Sequence, residues 1–285
     1  MIMATFFNQA TLTYRGGATN SNVVTGEIRE VLSANKTAGS DTYATGDELT
    51  YFINIINTGT TPLTGLSVTD DLGAYPFGEG TLTPLTYVDG SALYFVGGIP
   101  QATPTVVSTR PLTVSGLSVP AGSNAQLVYR AIPNEYAPLS EGSTILNTVT
   151  IIGPGVPTPV RTSETVTVLG GTALTIAKAL NPTTVSDGER LTYTFVIENS
   201  GNEDAVATDD LVVTDTFDPI LTDIVVTLGG TTLPAGSYTY DEATGVFATN
   251  PGVLTVPAAT YTQDPVTGAW TLLPGTTVLQ VSGTV

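Results

Sequence analysis

Apolar and polar residues alternate along most of this chain in short runs, separated by clusters of Gly, Pro, Asn and Asp. Successive side chains of a strand point to opposite faces, so such runs predict half-buried β-strands and the clusters predict the turns between them. The stretch Leu174 to Leu180 is typical: Leu174, Ile176, Lys178 and Leu180 share one face. No stretch keeps a helical apolar period for three turns. The predicted fold class is all-β.

The strands come in two matching sets. Lys36 corresponds to Lys178, Gly46 to Gly188, and the triplet Leu49, Thr50, Tyr51 to Leu191, Thr192, Tyr193. Further on, Asn57 matches Asn199, and Val68, Thr69, Asp70 match Val213, Thr214, Asp215. The spacing makes the chain a repeat with a domain-sized period. Its phase is unusual. Phe7 to Tyr14 reads like the interior strand Leu146 to Ile151, with Asn8 in the place of Asn147. Residues 21–25 likewise match residues 163–167, and both sets lead to a lysine eleven residues later. The chain therefore reads as closing strands, a full repeat, and a second repeat that reaches Val285 before its own closing strands. Donor strands are expected over residues 1–27, a complete repeat over 28–170 and an incomplete acceptor repeat over 171–285.

Parity aims polar side chains at the core. Lys36 shares a face with Leu32 and Ala34, Asp70 with Leu66 and Val68, and Asp215 with Val213 and Phe217. Asn147 lies with Val149 and Ile151, and Asn8 with Phe6, Ala10, Leu12 and Tyr14. Asp71, the rival of Asp70, has outward parity and aligns with Thr216. A bulge would shift this parity and leave each lysine a solvated edge residue. Asn8 and Asn147 also have a plainer reading, as ordinary amides near turns. Buried together, the three groups form a reactive set. Desolvation lowers an amine pKa and raises a carboxyl pKa. A neutral lysine can then attack the asparagine carboxamide, with the aspartate shuttling protons and donating to the oxyanion. Ammonia leaves and an isopeptide bond remains.

Charge and composition narrow the partners. The formal net charge is −17, from eight basic and 25 acidic residues, with no histidine. No basic patch can form, so nucleic acid and anionic membrane surfaces are poor partners for such a chain. There is no cysteine, hence no disulfide or thiolate metal site. No apolar run is long enough for a membrane span. The amino terminus lacks a charged region and a long apolar run, so it is not read as a secretory signal. Release by lysis of a sporulating mother cell is the expectation drawn from that. Neither a cofactor nor a metal is expected. The acidic stretch from Asn202 to Asp210 lacks the spacing of a calcium loop and reads as a solvated charge run. Asn57 and Asn199, before glycine-containing turns, read as turn residues. Trp270, the one tryptophan, is read as core or interface.

The run of Lys36, Gly46 to Tyr51, Asn57 to Gly59, Val68 to Asp70 and Asn147 to Val149 resembles the bacterial surface repeats known as domain of unknown function eleven. These are immunoglobulin-like modules akin to Gram-positive pilin and adhesin domains that carry Lys–Asn isopeptide bonds. The resemblance covers most of both repeats. It implies tandem immunoglobulin-like sandwiches and an internal Lys36–Asn147 bond with Asp70 as proton shuttle. For the second repeat it implies Lys178 and Asp215 without an asparagine of its own, and Asn8 is the one matching candidate.

The expected function is a self-assembling extracellular or spore-surface fibre subunit. Identical subunits would join head to tail by strand donation, with a surface anchor protein as an additional candidate partner. The alternative is a non-polymeric adhesin or surface-layer protein binding a glycan or host protein. A monomer closed by its own residues 5–27 is a further option. An enzyme is not expected, because histidine and cysteine are absent and the paired aspartates cannot face one cleft.

Overall fold

The computed structural model describes residues 3–285, and the side chains of all of these except residues 3, 4, 28 and 29. Residues 1 and 2 of the expected donor segment lie outside it. The architecture is all-β; two short 3₁₀ turns are the only helical elements among the described residues.

The first four strands are β1 (Met3–Asn8), β2 (Thr11–Tyr14), β3 (Gly17–Asn20) and β4 (Val24–Arg29). They form an antiparallel ribbon in which β1 pairs β4 and β2 pairs β3. Neither face is covered: Phe6, Phe7, Leu12 and Tyr14 are all exposed. The two pairings meet at an irregularity around Gln9 and Ala10, where the Ser21 amide donates to the Ala10 carbonyl at 2.8 Å.

The chain divides into two compact units, with the ribbon assigned to the first. The first takes residues up to Pro138 together with 144–167, and the second takes 139–143 with Val168–Val285. The main strands of the first unit are β5 (Leu32–Ala38), β6 (Leu49–Asn57), β7 (Leu63–Asp70), β8 (Leu112–Val119), β9 (Ser123–Pro133), β10 (Thr144–Ile152) and β11 (Val160–Val168). One sheet runs β9-β6-β5, extended beyond β9 by Leu93–Val96. The other runs β8-β7-β10-β11. Alternation in β6 is nearly complete, with Leu49, Tyr51, Ile53 and Ile55 buried. They pack with Tyr129 of β9 toward Leu66 and Val68 of β7 and Val149 and Ile151 of β10, all buried. Burying such side chains contributes roughly 1.5–3 kcal/mol each.

The second unit contains β12 (Leu174–Asn181), β13 (Arg190–Asn199), β14 (Thr214–Thr216), β15 (Thr222–Leu228), β16 (Val246–Thr249) and β17 (Gly275–Thr284). Its larger sheet runs β12-β13-β17-β15. A three-stranded sheet has β14 at its edge, paired to β16 and then to Tyr238–Asp241. The core joins Tyr193, Phe195 and Ile197 of β13 to Phe217, Phe247 and Leu279. Phe217 stacks on Tyr193 with ring centroids 4.8 Å apart.

The two units share their local devices. Gly46 and Gly188 turn at φ +87° and +83°, a region that side chains with a Cβ rarely enter. Asn57 and Asn199 are wholly buried, and each closes a turn by accepting from the amide two residues on, that of Gly59 and of Gly201. The Asn57 amide also donates to the carbonyls of Thr61 and Val119.

Candidate cross-linking site

In the first unit the two sheets bring Lys36, Asp70, Tyr129 and Asn147 into one dry cluster, each at most 1% exposed. Lys36 comes from β5, where it lies opposite Ile53. Asp70 ends β7, opposite Leu112 on one side and Val149 on the other. Asn147 sits two residues before Val149 on β10, hence on the same face.

Lys36 Nζ lies 2.6 Å from Asp70 Oδ2, and the same oxygen accepts the Tyr129 hydroxyl at 2.7 Å. Asp70 Oδ1 accepts the Leu72 amide at 3.0 Å. The Asn147 amide donates to the Tyr129 oxygen at 3.0 Å, while its Oδ1 has no hydrogen-bond partner. Lys36 Nζ also stands 4.7 Å from the centre of the Tyr51 ring. Burial pushes the Lys36 amine below its ordinary value, opposed by the Asp70 charge. Burial also raises the Tyr129 phenol well above its ordinary value, and the Asp70 carboxylate adds to it, so the hydroxyl keeps its proton. An amine, a carboxamide and a carboxyl in one dry cluster are equipped for acyl transfer. Asp71 is instead structural: its Oδ1 accepts the amides of Gly73 and Thr148.

The second unit repeats half of this arrangement. Lys178 lies opposite Phe195 on β13, as Lys36 lies opposite Ile53. Asp215 lies opposite Phe247 on β16, as Asp70 lies opposite Leu112. Lys178 and Asp215 form an ion pair, with Lys178 Nζ 4.4 Å from the Tyr193 ring centre. The surroundings differ. The Lys178 side chain is 41% exposed, whereas that of Lys36 is 0% exposed. On the same face of β12, Leu174 and Ile176 are exposed as well. Those two residues, Ile197, Leu211, Val213 and Leu254 line an open apolar cleft of about 190 Å³. Among the described residues, no strand pairs with the outer edge of β14. In the first unit that edge is taken by β10, and the Lys36 amide bonds Thr162 Oγ1 of β11 at 3.3 Å.

Asn8, Phe6, Ala10, Leu12 and Tyr14 are all on the exposed ribbon, and none of them contributes to either cluster within this chain. The ribbon pairs Asn8 with Val24, whereas Asn147 pairs with Glu164, whose counterpart is Asn22. A strand with both faces wet specifies its register weakly, which accounts for the offset.

Tyr129 is the cluster member that sequence reading did not single out. Its signal was its inward parity on β9, where it faces Tyr51 across the strand pair. In the second unit Val281 faces Tyr193 at that place. The acidic stretch after Asn202 has bonding duties of its own: Asn202 accepts the Gly171 amide, Asp204 the Ala258 amide, and Asp209 the Val206 amide. Trp270 is half-buried on a hairpin of Thr260–Gln263 with Trp270–Leu273.

No protein-family model matches the chain, and no curated protein does. Among solved structures, the chain is similar to BcpA, the major pilin subunit of Bacillus cereus, at 13% identity and TM-score 0.38, over 95% of this chain and 73% of that one. It is similar to a C-terminal fragment of the major pilin GBS80 of Streptococcus agalactiae, at 13% identity and TM-score 0.33, over 86% and 91%. It is also similar to the pilus backbone RrgB of Streptococcus pneumoniae, at 13% identity and TM-score 0.34, over 85% and 55%.

Proposed function

We propose that this chain is a structural subunit of an extracellular or spore-surface fibre, polymerising head to tail through the ribbon and cross-linked by Lys–Asn isopeptide bonds. The observation that carries this is a contrast between equivalent positions. Lys36 with Asp70 is sealed beneath β10 and β11, whereas the Lys178 side chain, paired to a partly buried Asp215, opens to solvent beside an apolar cleft and an unpaired strand edge. The exposed ribbon has the sequence of the sealing strands and carries Asn8 where β10 carries Asn147.

Placed on β14 as β10 lies on β7, the donor strand sets Ala10 opposite Asp215 and Leu12 opposite Val213, at the cleft. Asn8 then approaches Lys178 as Asn147 approaches Lys36. Strand addition satisfies the open edge of the acceptor and covers its apolar face. The contact joins two different surfaces of identical subunits, so repetition without closure produces a filament. Within it, Lys36–Asn147 is the internal bond, with Asp70 as proton shuttle, and Lys178–Asn8 the bond between subunits, with Asp215. Each forms once per site with loss of ammonia, so the chain consumes no external substrate and turns nothing over.

The test is a boiled, reduced denaturing gel of the purified chain, with the bands mapped by peptide mass spectrometry. A ladder in which Asn8 and Lys178 peptides are joined less one ammonia is the expected result. A single monomer band without that joined peptide would overturn the covalent fibre.

A further inference from the structure

Lys36, Asp70 and Asn147 are the three groups that the acyl transfer names, yet the hydrogen bonds around them run through a fourth. Asp70 Oδ1 is occupied by the Leu72 amide, which leaves Oδ2 as the working oxygen. That oxygen meets Lys36 Nζ on one side and the Tyr129 hydroxyl on the other. The Tyr129 oxygen in turn is the acceptor for the Asn147 nitrogen. The path from the carboxyl to the nitrogen that must depart therefore passes through Tyr129.

We infer that Tyr129 is the proton relay that delivers a proton from Asp70 to the leaving nitrogen of Asn147. The inference rests on the reading of Lys36 and Asn147 as a bond-forming pair. The direction of the hydrogen bonds at rest is opposite to the direction of delivery, and the chemistry explains the reversal. An intact carboxamide nitrogen shares its lone pair with the carbonyl and can only donate, as it does here to Tyr129. Once Lys36 Nζ has passed a proton to Asp70 Oδ2 and bonded to the Asn147 side-chain carbon, that nitrogen becomes a tetrahedral amine with a free lone pair. The Asp70 O–H then donates to the Tyr129 oxygen, and the Tyr129 O–H donates to the nitrogen. The carbon–nitrogen bond breaks and ammonia leaves. The remaining surplus proton on Nζ returns to Asp70 and departs with the ammonia as ammonium. Tyr129 and the Asp70 carboxylate end as they began.

The environment suits a relay. Tyr129 is fully buried, so no water competes for its hydroxyl. Its ring is fixed by stacking on Tyr51 at 5.5 Å between centroids. The phenol is held neutral by burial, and a relay must give and take a proton without resting as an anion.

The experiment follows bond formation in freshly synthesised full-length chain, sampling the joined Lys36–Asn147 peptide by mass spectrometry over time and across pH. Tyr129→Phe removes one oxygen and keeps the ring. It is expected to slow this bond by at least about 10²-fold, the usual scale of general-acid assistance, while protease resistance reports that the fold is intact. Equal rates and an unchanged pH profile in folded Tyr129→Phe would overturn the relay and leave the bond itself standing. Absence of the joined peptide in the unaltered chain would instead overturn the underlying reading. Should Tyr129→Phe fail to fold, 3-fluorotyrosine placed at 129 keeps the hydroxyl and alters its acidity. A rate change of about twofold or more is then expected, and an unchanged rate would count against the relay.

Discussion

Lys36 and Lys178 occupy one register position in two strands, and each is paired to an aspartate at one register position in another. What separates them is cover: the first side chain is sealed and the second is open. The difference localises the consequences of mutation, because the two lysines can be removed separately.

Lys178→Ala is expected to leave filaments that assemble but dissolve into monomers in hot detergent, and Asn8→Ala should do the same. Lys36→Ala should leave the ladder of covalent multimers in place. The readout is the boiled gel; identical behaviour of the two lysine variants would show that the inter-subunit bond is assigned to the wrong lysine.

Deleting residues 1–14 removes Asn8 and the donor strand while leaving both compact units. Such a protein should remain monomeric by light scattering and electron microscopy at concentrations where the full chain forms filaments. Filaments from the truncated chain would exclude strand donation.

The buried pair carries a stability prediction of its own. Lys36→Met leaves the Asp70 carboxylate without its cation in a dry core, which costs on the order of 3–5 kcal/mol. Asn147→Ala also abolishes the internal bond but keeps the pair. Denaturant midpoints for the two variants should therefore differ, with Lys36→Met the less stable; equal midpoints would mean that the pair itself contributes nothing.

The pH dependence has a definite sign. Burial, opposed by Asp70, holds the Lys36 amine below the ordinary lysine value of 10.5. The unfolded chain then binds that proton more tightly, so the unbonded fold gains stability as pH rises toward 10.5 and loses it as pH falls. The relay draws its proton from the Lys36–Asp70 pair, so bond formation should be level with pH while the pair holds that proton and slow once the amine is titrated off below 10.5, as followed by the joined peptide. A rate that keeps rising through that range would contradict delivery of the Lys36 proton to the leaving nitrogen.

Asn57 offers a contrast between turn and cluster. Its buried side chain serves the Thr61 and Val119 carbonyls through its amide and the Gly59 amide through its oxygen. Asn57→Ala should cost about 1–3 kcal/mol for each buried partner left unsatisfied, seen in thermal unfolding, while the Lys36–Asn147 peptide still forms.

Much of this was legible in the sequence because period-two alternation runs unbroken through β10 and from Leu66 to Asp70 of β7, and places Lys36 with Leu32 in β5. Parity alone placed Lys36, Asp70 and Asn147 inward, and repetition marked Lys178 and Asp215. Tyr129 escaped because an inward tyrosine in an alternating strand reads as ordinary core, and only the facing of the two sheets brings its hydroxyl to Asn147. The ribbon register escaped as well, since exposed faces exert no burial preference on it. The hairpin that carries Trp270 has no match in the first repeat, so repetition offered no guide to it.

The sites of the proposed bonds also decide which parts of the molecule would feel a pull. Lys36 lies near the start of the first unit and Asn147 near its end, and Asn8 and Lys178 bracket both. With the bonds made, tension enters a subunit at Asn8, crosses from Lys36 to Asn147, and leaves at Lys178 for the next Asn8. Residues 37–146 and everything after 178 hang beside that line as slack. A stretched filament could then draw no length from residues 37–146 of any subunit, and parting it would require breaking covalent bonds.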